Sequence, residues 1–207
     1  LRRACFQYSK EQLDELEGKT AAQILDTLIV SKTYTWEWPY DPITSNNQYG
    51  SNRLDASWLE DPDWTYVKYA NRQTFKRSLV SAWWWYNALK QNTVIDKLTW
   101  FLFTTFTVSK DDGAGRAGNF FDYLNLLQFY ADKSVKTLAR KISFDNSMLF
   151  YLDNTDNEKQ SPNENYAREF LELFTIGKGE QVAEGDSTNY PEHDVVQAAR
   201  VFSGIKH

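Results

Sequence analysis

The sequence predicts an all-α fold, an irregular multi-helix bundle with one long aromatic-rich loop. Three observations lead there: apolar residues recur at helical spacing, capping residues stand at segment starts with glycines beyond several ends, and no strand–helix units recur that could build a parallel sheet. With 207 residues, 42% hydrophobic and 25% charged, the chain can bury a sizeable core and is too apolar to stay disordered.

Ser9, with Gln12 three residues on, starts a short helix in "KEQLDEL" that Gly18 stops. "TAAQILDTLIV" follows with Ile24, Leu25 and Leu28 on one face, completing a small helical hairpin. From Ser31 to Asp63, Pro39, Pro42, Asn46, Asn47, Gly50 and Pro62 break every period while Trp36, Trp38, Tyr40 and Trp58 supply aromatic anchors, so 31–63 reads as a loop or insertion.

"VKYANRQTFKRSLVSAWWWYNALKQ" predicts a long amphipathic helix, with Phe75, Leu79, Trp83, Tyr86 and Leu89 as its stripe and Arg72, Lys76 and Lys90 outside it. Trp83, Trp84 and Trp85 project about 100° apart, so at least one meets solvent or a partner. "LTWFLFTTFTV" is about half the length that spans a bilayer as a helix and reads as a buried element. Helices in "NFFDYLNLLQFYA", "DKSVKTLARKIS" and "NSMLFYL" come next, with Asp132 and Asn146 as caps. In "SPNENYAREFLELFTIGKG", Ser161 and Glu164 form a capping box with Pro162 at the first helical position and Gly177 as terminator. The last helix lies in "YPEHDVVQAARVFSG", with Pro191 at the first helical position and Gly204 beyond its end.

Composition narrows the function classes. A net charge of −5 lacks the basic excess that nucleic-acid binding draws on, and Lys133, Lys136, Arg140 and Lys141 read as a solvated helix face. The single cysteine, Cys5, excludes an internal disulfide and leaves the compartment open. The opening "LRRACFQYSK" has no signal-peptide pattern, so an exported precursor carries its signal upstream of it. The 8 Trp, 12 Tyr and 13 Phe exceed ordinary usage, which suits an aromatic core with rings left over for a sugar or protein partner.

Two motifs invite a chemical reading. Gly113, Gly115 and Gly118 match the dinucleotide fingerprint, but "SKDD" separates them from the apolar run, and Asp111 and Asp112 repel a phosphate, which favours a plain interhelical connection. The second is the polar segment from 153 to 172. Tyr166, Phe170, Leu173 and Phe174 form its apolar stripe, while Glu164, Arg168 and Glu172 align four apart beside Asn165 and Glu169.

Spacing alone fits a surface face in which Arg168 pairs with Glu164 and Glu172. That is the reading spacing favours, but it also allows a site in which Glu164, Glu169 or Glu172 act as acid and base, Arg168 holds an anionic group, and Asn154, Asn157, Asn163 and Asn165 bind a polar ligand. No cofactor or metal is expected. Asp153, Asp156 and Glu158 offer oxygens of the kind calcium takes, yet the order D-N-T-D-N-E lacks the glycine and terminal glutamate of an EF-hand loop, and His193 and His207 are the only histidines.

The segments "LRRACFQYSKEQLDEL", "AWWWYNAL", "DKLTWFLFTTFTVS", "GNFFDYLNLLQFYADKSVKTLARKISFDNSMLFYLDN", "PNENYAREFLELFTIGKG" and "YPEHDVVQAARVFSG" resemble, in order, the large bacterial proteins grouped as domain of unknown function 1800. "PNENYARE" is the most diagnostic of them. The resemblance implies a largely helical protein, exported to the periplasm or cell surface, encoded beside an exported sulfatase-like protein that is a possible partner. It also implies that residues 1–207 are the N-terminal part of a longer helical domain. Relatives carry a Trp-His-Asn-His-Phe type run where this chain has "WFLFTTF", including Leu102 and Thr105, and a histidine where it has Phe174. The resemblance supplies no mechanism. Two functions follow as expectations: a binding or assembly component, or a carboxylate-dependent hydrolase acting on a polar or anionic substrate.

Overall fold

The computed structural model describes residues 3–29, 72–91, 93–111 and 114–206. The predicted loop 31–63, with Trp36, Trp38, Tyr40 and Trp58, lies outside the described residues, as do Asp112, Gly113, His207 and the side chains of Arg72 and Phe75. The fold is mostly helical, as the sequence predicts. Among the described residues nine α-helices form: α1 Lys10–Leu16, α2 Ala21–Ile29, α3 Arg72–Gln91, α4 Val94–Thr105, α5 Ala117–Tyr130, α6 Val135–Ile142, α7 Asn146–Tyr151, α8 Glu164–Glu169 and α9 Glu192–Phe202. An antiparallel hairpin, β1 Gln181–Ala183 and β2 Asp186–Ser187, turns through Gly185 at φ 79°; it was not anticipated from the sequence. Among the described residues no helix is long and apolar enough to cross a membrane.

Helix ends follow local chemistry more closely than the periodicity does. Ser9 and Gln12 close the expected capping box on α1. The apolar run is helical because Thr93 and Asp96 form a buried capping box ahead of it, and because Thr99 and Thr105 donate to the carbonyls of Ile95 (2.7 Å) and Phe101 (3.0 Å) one turn back. The caps of α6 and α7 are Ser134 and Asp145 rather than Asp132 and Asn146, each with a side-chain oxygen that accepts from helix amides. Pro191 is the cap residue of α9 and Glu192 its first helical residue.

The main core is built around α5, whose Phe120, Phe121, Tyr123, Leu124 and Leu127 are buried against Val80, Trp84 and Ala88 of α3, Leu102 of α4, Leu138 of α6 and Leu149 of α7. The buried ridge of α3 is therefore Lys76–Val80–Trp84–Ala88, rotated from the predicted stripe: Tyr86 and Leu89 are exposed, and Lys76 is buried. Spacing of three or four residues satisfies both lines, and packing on α5 decides between them. Trp83 and Trp85 are half-buried, Trp83 tilted against Phe121 at 5.3 Å and Trp85 against Trp100 at 4.8 Å. A second, smaller core joins α8 to α9 through Ala167, Tyr190, Val195 and Ala199.

The glycine-rich connection is held by a cation that contacts carbonyls. Arg77, buried on α3, donates to the carbonyls of Lys110, Gly115 and Asp111 (2.8 Å for the last), and Gln73 accepts from the Ala117 amide at the start of α5 (2.9 Å). Gly115 takes φ 66°, and a Cβ there would meet the Asn119 side chain at 3.3 Å. Carbonyls converge on the guanidinium, the opposite polarity from a loop that cradles a phosphate with amides. Arg77→Ala leaves these carbonyls without a charged donor, and urea unfolding is expected to show a loss of about 3 kcal/mol. A loss below about 0.5 kcal/mol would mean that the loop holds its shape without the arginine.

Candidate functional site

The polar segment begins where α7 ends. Asp153 adopts left-handed backbone at φ 56°, a conformation that Asp tolerates better than most residues, and this folds the chain into a single 3-10 turn, Asn154–Asp156. The returning strand of chain carries Ser161, which bridges to Glu158 and does not cap the helix. The cap is Asn163, two residues later than predicted: its side-chain oxygen accepts from the Asn165 amide at 2.9 Å.

The amides converge in the turn. Asn154 and Asn157 are both fully buried. The Asn157 side chain donates to Asn154 Oδ1 (2.9 Å) and to the Ala199 carbonyl on α9 (3.0 Å), while its Oδ1 accepts from the Asn163 amide (2.9 Å). Both donors of one amide group are thus engaged. Asn154 donates to the Phe202 carbonyl (3.2 Å), Asn163 Nδ2 to the Asp153 carbonyl (2.9 Å), and the Gly204 amide to the Asn157 carbonyl (2.9 Å). The end of α9 and the start of α8 are therefore fastened to the same turn. Asn165 projects outward.

The carboxylates lie elsewhere, along the side of α8 that meets α9. Arg168 makes a two-pronged contact with Glu192, one prong at 2.8 Å, and a longer 3.7 Å contact with Glu164. The hydrogen bond to Glu192 is the main reason the guanidinium is held above its usual range and the Glu192 carboxyl below its own. The expected Arg168–Glu172 pair does not form. From Phe170 to Thr175 the helix widens into a π turn, closed by the Ile176 amide on the Leu171 carbonyl (3.2 Å), and the extra residue per turn carries Glu172 out of register. Glu172 lies instead 3.8 Å from Lys178, and Leu173, predicted in the apolar stripe, is exposed. Gly177, at φ 72°, ends the helix as expected.

Glu164 and Glu172 keep 43% and 32% of their side-chain surface, and half-buried Glu169 has no ion pair among the described residues. Tyr190 packs into the smaller core beside them. Burial first, then the charges of Glu172, Glu192 and Glu169, push its phenol up, and Arg168 pulls it down. Among the described residues its hydroxyl has no hydrogen-bond partner.

Asp153, Asp156 and Glu158, the possible calcium ligands, do not gather: Glu158 pairs with Lys206 at 3.3 Å, and among the described residues no three His, Cys, Asp or Glu side chains are placed to hold a metal. His193 is exposed, 3.1 Å from Gln197. Glu192 and Tyr190 escaped the sequence reading because their importance is tertiary. The one signal was the acid in the first turn of "PEHD", which reads equally well as a favourable partner of the helix dipole.

As built, the arrangement can hold two helices in a fixed relation and present a half-exposed carboxylate rim. No curated protein and no solved structure matches the chain. A family model described as "Protein of unknown function (DUF1800)" matches residues 1–207. The ordered motifs from "LRRACFQYSKEQLDEL" to "YPEHDVVQAARVFSG" and the helical fold accord with that match over the whole sequence, and the chain belongs to this family.

Proposed function

We propose that the chain is an exported binding or assembly component whose 153–172 segment is a rigid joint between α8 and α9, displaying a carboxylate rim to a protein partner. The observation that carries this reading is how the polar groups are used. The donors of Asn157 and the fork of Arg168 are engaged inside the fold, whereas Glu164, Glu169 and Glu172 stay partly open at its edge. An arginine whose two terminal nitrogens meet one carboxylate has little left for an anionic substrate. The π turn supports a role at this edge, since such turns recur at functional sites.

The family resemblance supports a location in the periplasm or at the cell surface, and a neighbouring exported sulfatase-like protein is the first partner to test. Co-expression of the two followed by size-exclusion chromatography is expected to give one co-eluting complex. Glu169→Gln and Glu172→Gln are expected to weaken that complex while changing stability by less than about 1 kcal/mol, since Glu169 has no ion pair among the described residues and Glu172 has only the 3.8 Å contact with Lys178.

The competing reading, a carboxylate-dependent hydrolase, draws on Glu169, which has no ion pair among the described residues and whose charge helps push up the Tyr190 phenol. It requires that the same two substitutions abolish turnover of a polar or anionic substrate at unchanged stability. Separate elution of the two proteins together with measurable hydrolysis would reverse the preference.

A further inference from the structure

The basic run on α6 is exposed, and it does not stand alone. Leu138, Ala139 and Ile142 turn inward to the main core, so Lys136, Arg140 and Lys141 project from the opposite side of the same helix. Among the described residues none of these three cations has an ion pair, and Lys133, just ahead of the helix, has a single long one to Asp132 at 3.7 Å. From 129 to 144 four cations stand against that one carboxylate, a local charge of +3 in a chain of −5.

Apolar side chains rise among these charges. Phe129, Val135 and Phe144 are 60%, 56% and 62% exposed. Phe129 lies under the Lys133 ammonium, 3.6 Å from Nζ to the ring centre. Val135 opens the first turn of α6, and Phe144 follows its last, its amide donating to the Lys141 carbonyl at 3.1 Å. One continuous corner between α5 and α6 therefore carries both kinds of side chain. The outer side of a helix is convex, so a rigid partner would need a recess for each ring, whereas a layer of lipid headgroups yields to single protruding rings and sets phosphates against the cations. The apolar face of α6 is already occupied in the core, which leaves attachment by charge with shallow insertion of the rings.

We infer that Lys136, Arg140 and Lys141, with Phe129, Val135 and Phe144, dock this corner on an anionic lipid surface. No part of the carboxylate rim is involved. The chain is mixed at low salt with vesicles of phosphatidylcholine containing phosphatidylglycerol and, separately, with vesicles of phosphatidylcholine alone, and the bound fraction is read by co-sedimentation. Binding to the anionic vesicles only is expected, and about 1 M salt should release it, because the Debye length falls to about 3 Å there. The triple variant Lys136→Gln, Arg140→Gln, Lys141→Gln should bind about a hundredfold more weakly, and Phe144→Ala about fivefold. The melting temperature should hold in both, since all four side chains are exposed. Lys19→Gln, the same loss of charge at an exposed position between α1 and α2, should change binding by less than about twofold.

No sedimentation with the anionic vesicles overturns the inference, as does equal binding to both kinds of vesicle or binding that the triple variant keeps. A loss in Lys19→Gln as large as that in the triple variant would trace binding to overall charge and overturn it as well. Soluble polyglutamate probes the other kind of occupant: if it binds through the same three cations while the vesicles do not, the corner serves an acidic protein and the lipid assignment fails. Since Glu169 and Glu172 take no part, any of these failures leaves the partner reading of the carboxylate rim standing, and loss of the co-eluting complex leaves the lipid assignment standing.

Discussion

Asn157→Ala is expected to lower the unfolding free energy by about 3–5 kcal/mol, the largest effect of any single truncation in the polar segment. The side chain is fully buried and is the shared partner of three groups: the Ala199 carbonyl, the Asn154 side-chain oxygen and the Asn163 amide. Alanine removes all three contacts and leaves buried polar groups unpaired at about 1–3 kcal/mol each, with partial relief where water enters. Asn157→Asp, of nearly the same shape, is expected to be as damaging at neutral pH, because it would set a carboxylate against the Ala199 carbonyl and the Asn154 oxygen. Asn165→Ala is the control: its side chain points outward, and its change should stay within about 0.5 kcal/mol. Urea unfolding at constant m-value reads all three.

Asp145→Asn is expected to act in the opposite direction, raising stability at pH 7.5 by about 2 kcal/mol. Asp145 caps α7, accepting from the amides of Ser147 (2.9 Å) and Met148 (3.4 Å). Burial is the dominant influence on its carboxyl and lifts it to about 6 from 3.8; the two amides oppose the shift and Asp122 adds to it. A carboxyl whose folded value lies above its unfolded one favours the folded state when protonated. Its stabilising contribution is therefore complete below pH about 4 and is lost as pH rises to about 6. Asparagine keeps the accepting oxygen and has no charge to bury. The variant and the parent should therefore match near pH 4 and diverge up to pH about 6. The same charge helps push up the phenols of Tyr123 and Tyr166, after burial, and both hydroxyls donate to carbonyls, of Phe106 and of Ser143 (3.0 Å). A parallel pH dependence for both proteins would show that Asp145 titrates normally.

The sequence revealed local features well and tertiary ones poorly. The α1 cap, the Gly177 stop and the helical class were legible because each depends on neighbours within one turn. The cap of α8 was misplaced because Ser161 and Asn163 both suit the position, and the choice was made by Asn157 and Asp153, which bind the Asn163 backbone and side chain. Glu172 was assigned to Arg168 because spacing arguments assume 3.6 residues per turn, which a π turn violates. Lys76 was placed outside the buried stripe on charge alone, and Arg77 drew no reading, although a buried arginine can serve as the common donor for a carbonyl-rich loop. Asn154, Asn157, Asn163 and Asn165 were grouped as amides that bind a polar ligand; the first three meet in the turn and Asn165 does not, and their separation from the carboxylate side of α8 was not foreseen. It depends on α9, which lies some 40 residues away in sequence.

The central claim is that Asn157 fastens α8 and α9 to one turn, and hydrogen exchange at the Asn163 and Gly204 amides tests it most directly. Both amides end on Asn157, one on its side chain and one on its carbonyl. The structure predicts that both exchange slowly, through an opening as costly as global unfolding, and that Asn157→Ala speeds Asn163 far more than the helical amides of α5. Fast exchange of Asn163 and Gly204 in the unaltered chain, while α5 stays protected, would contradict it.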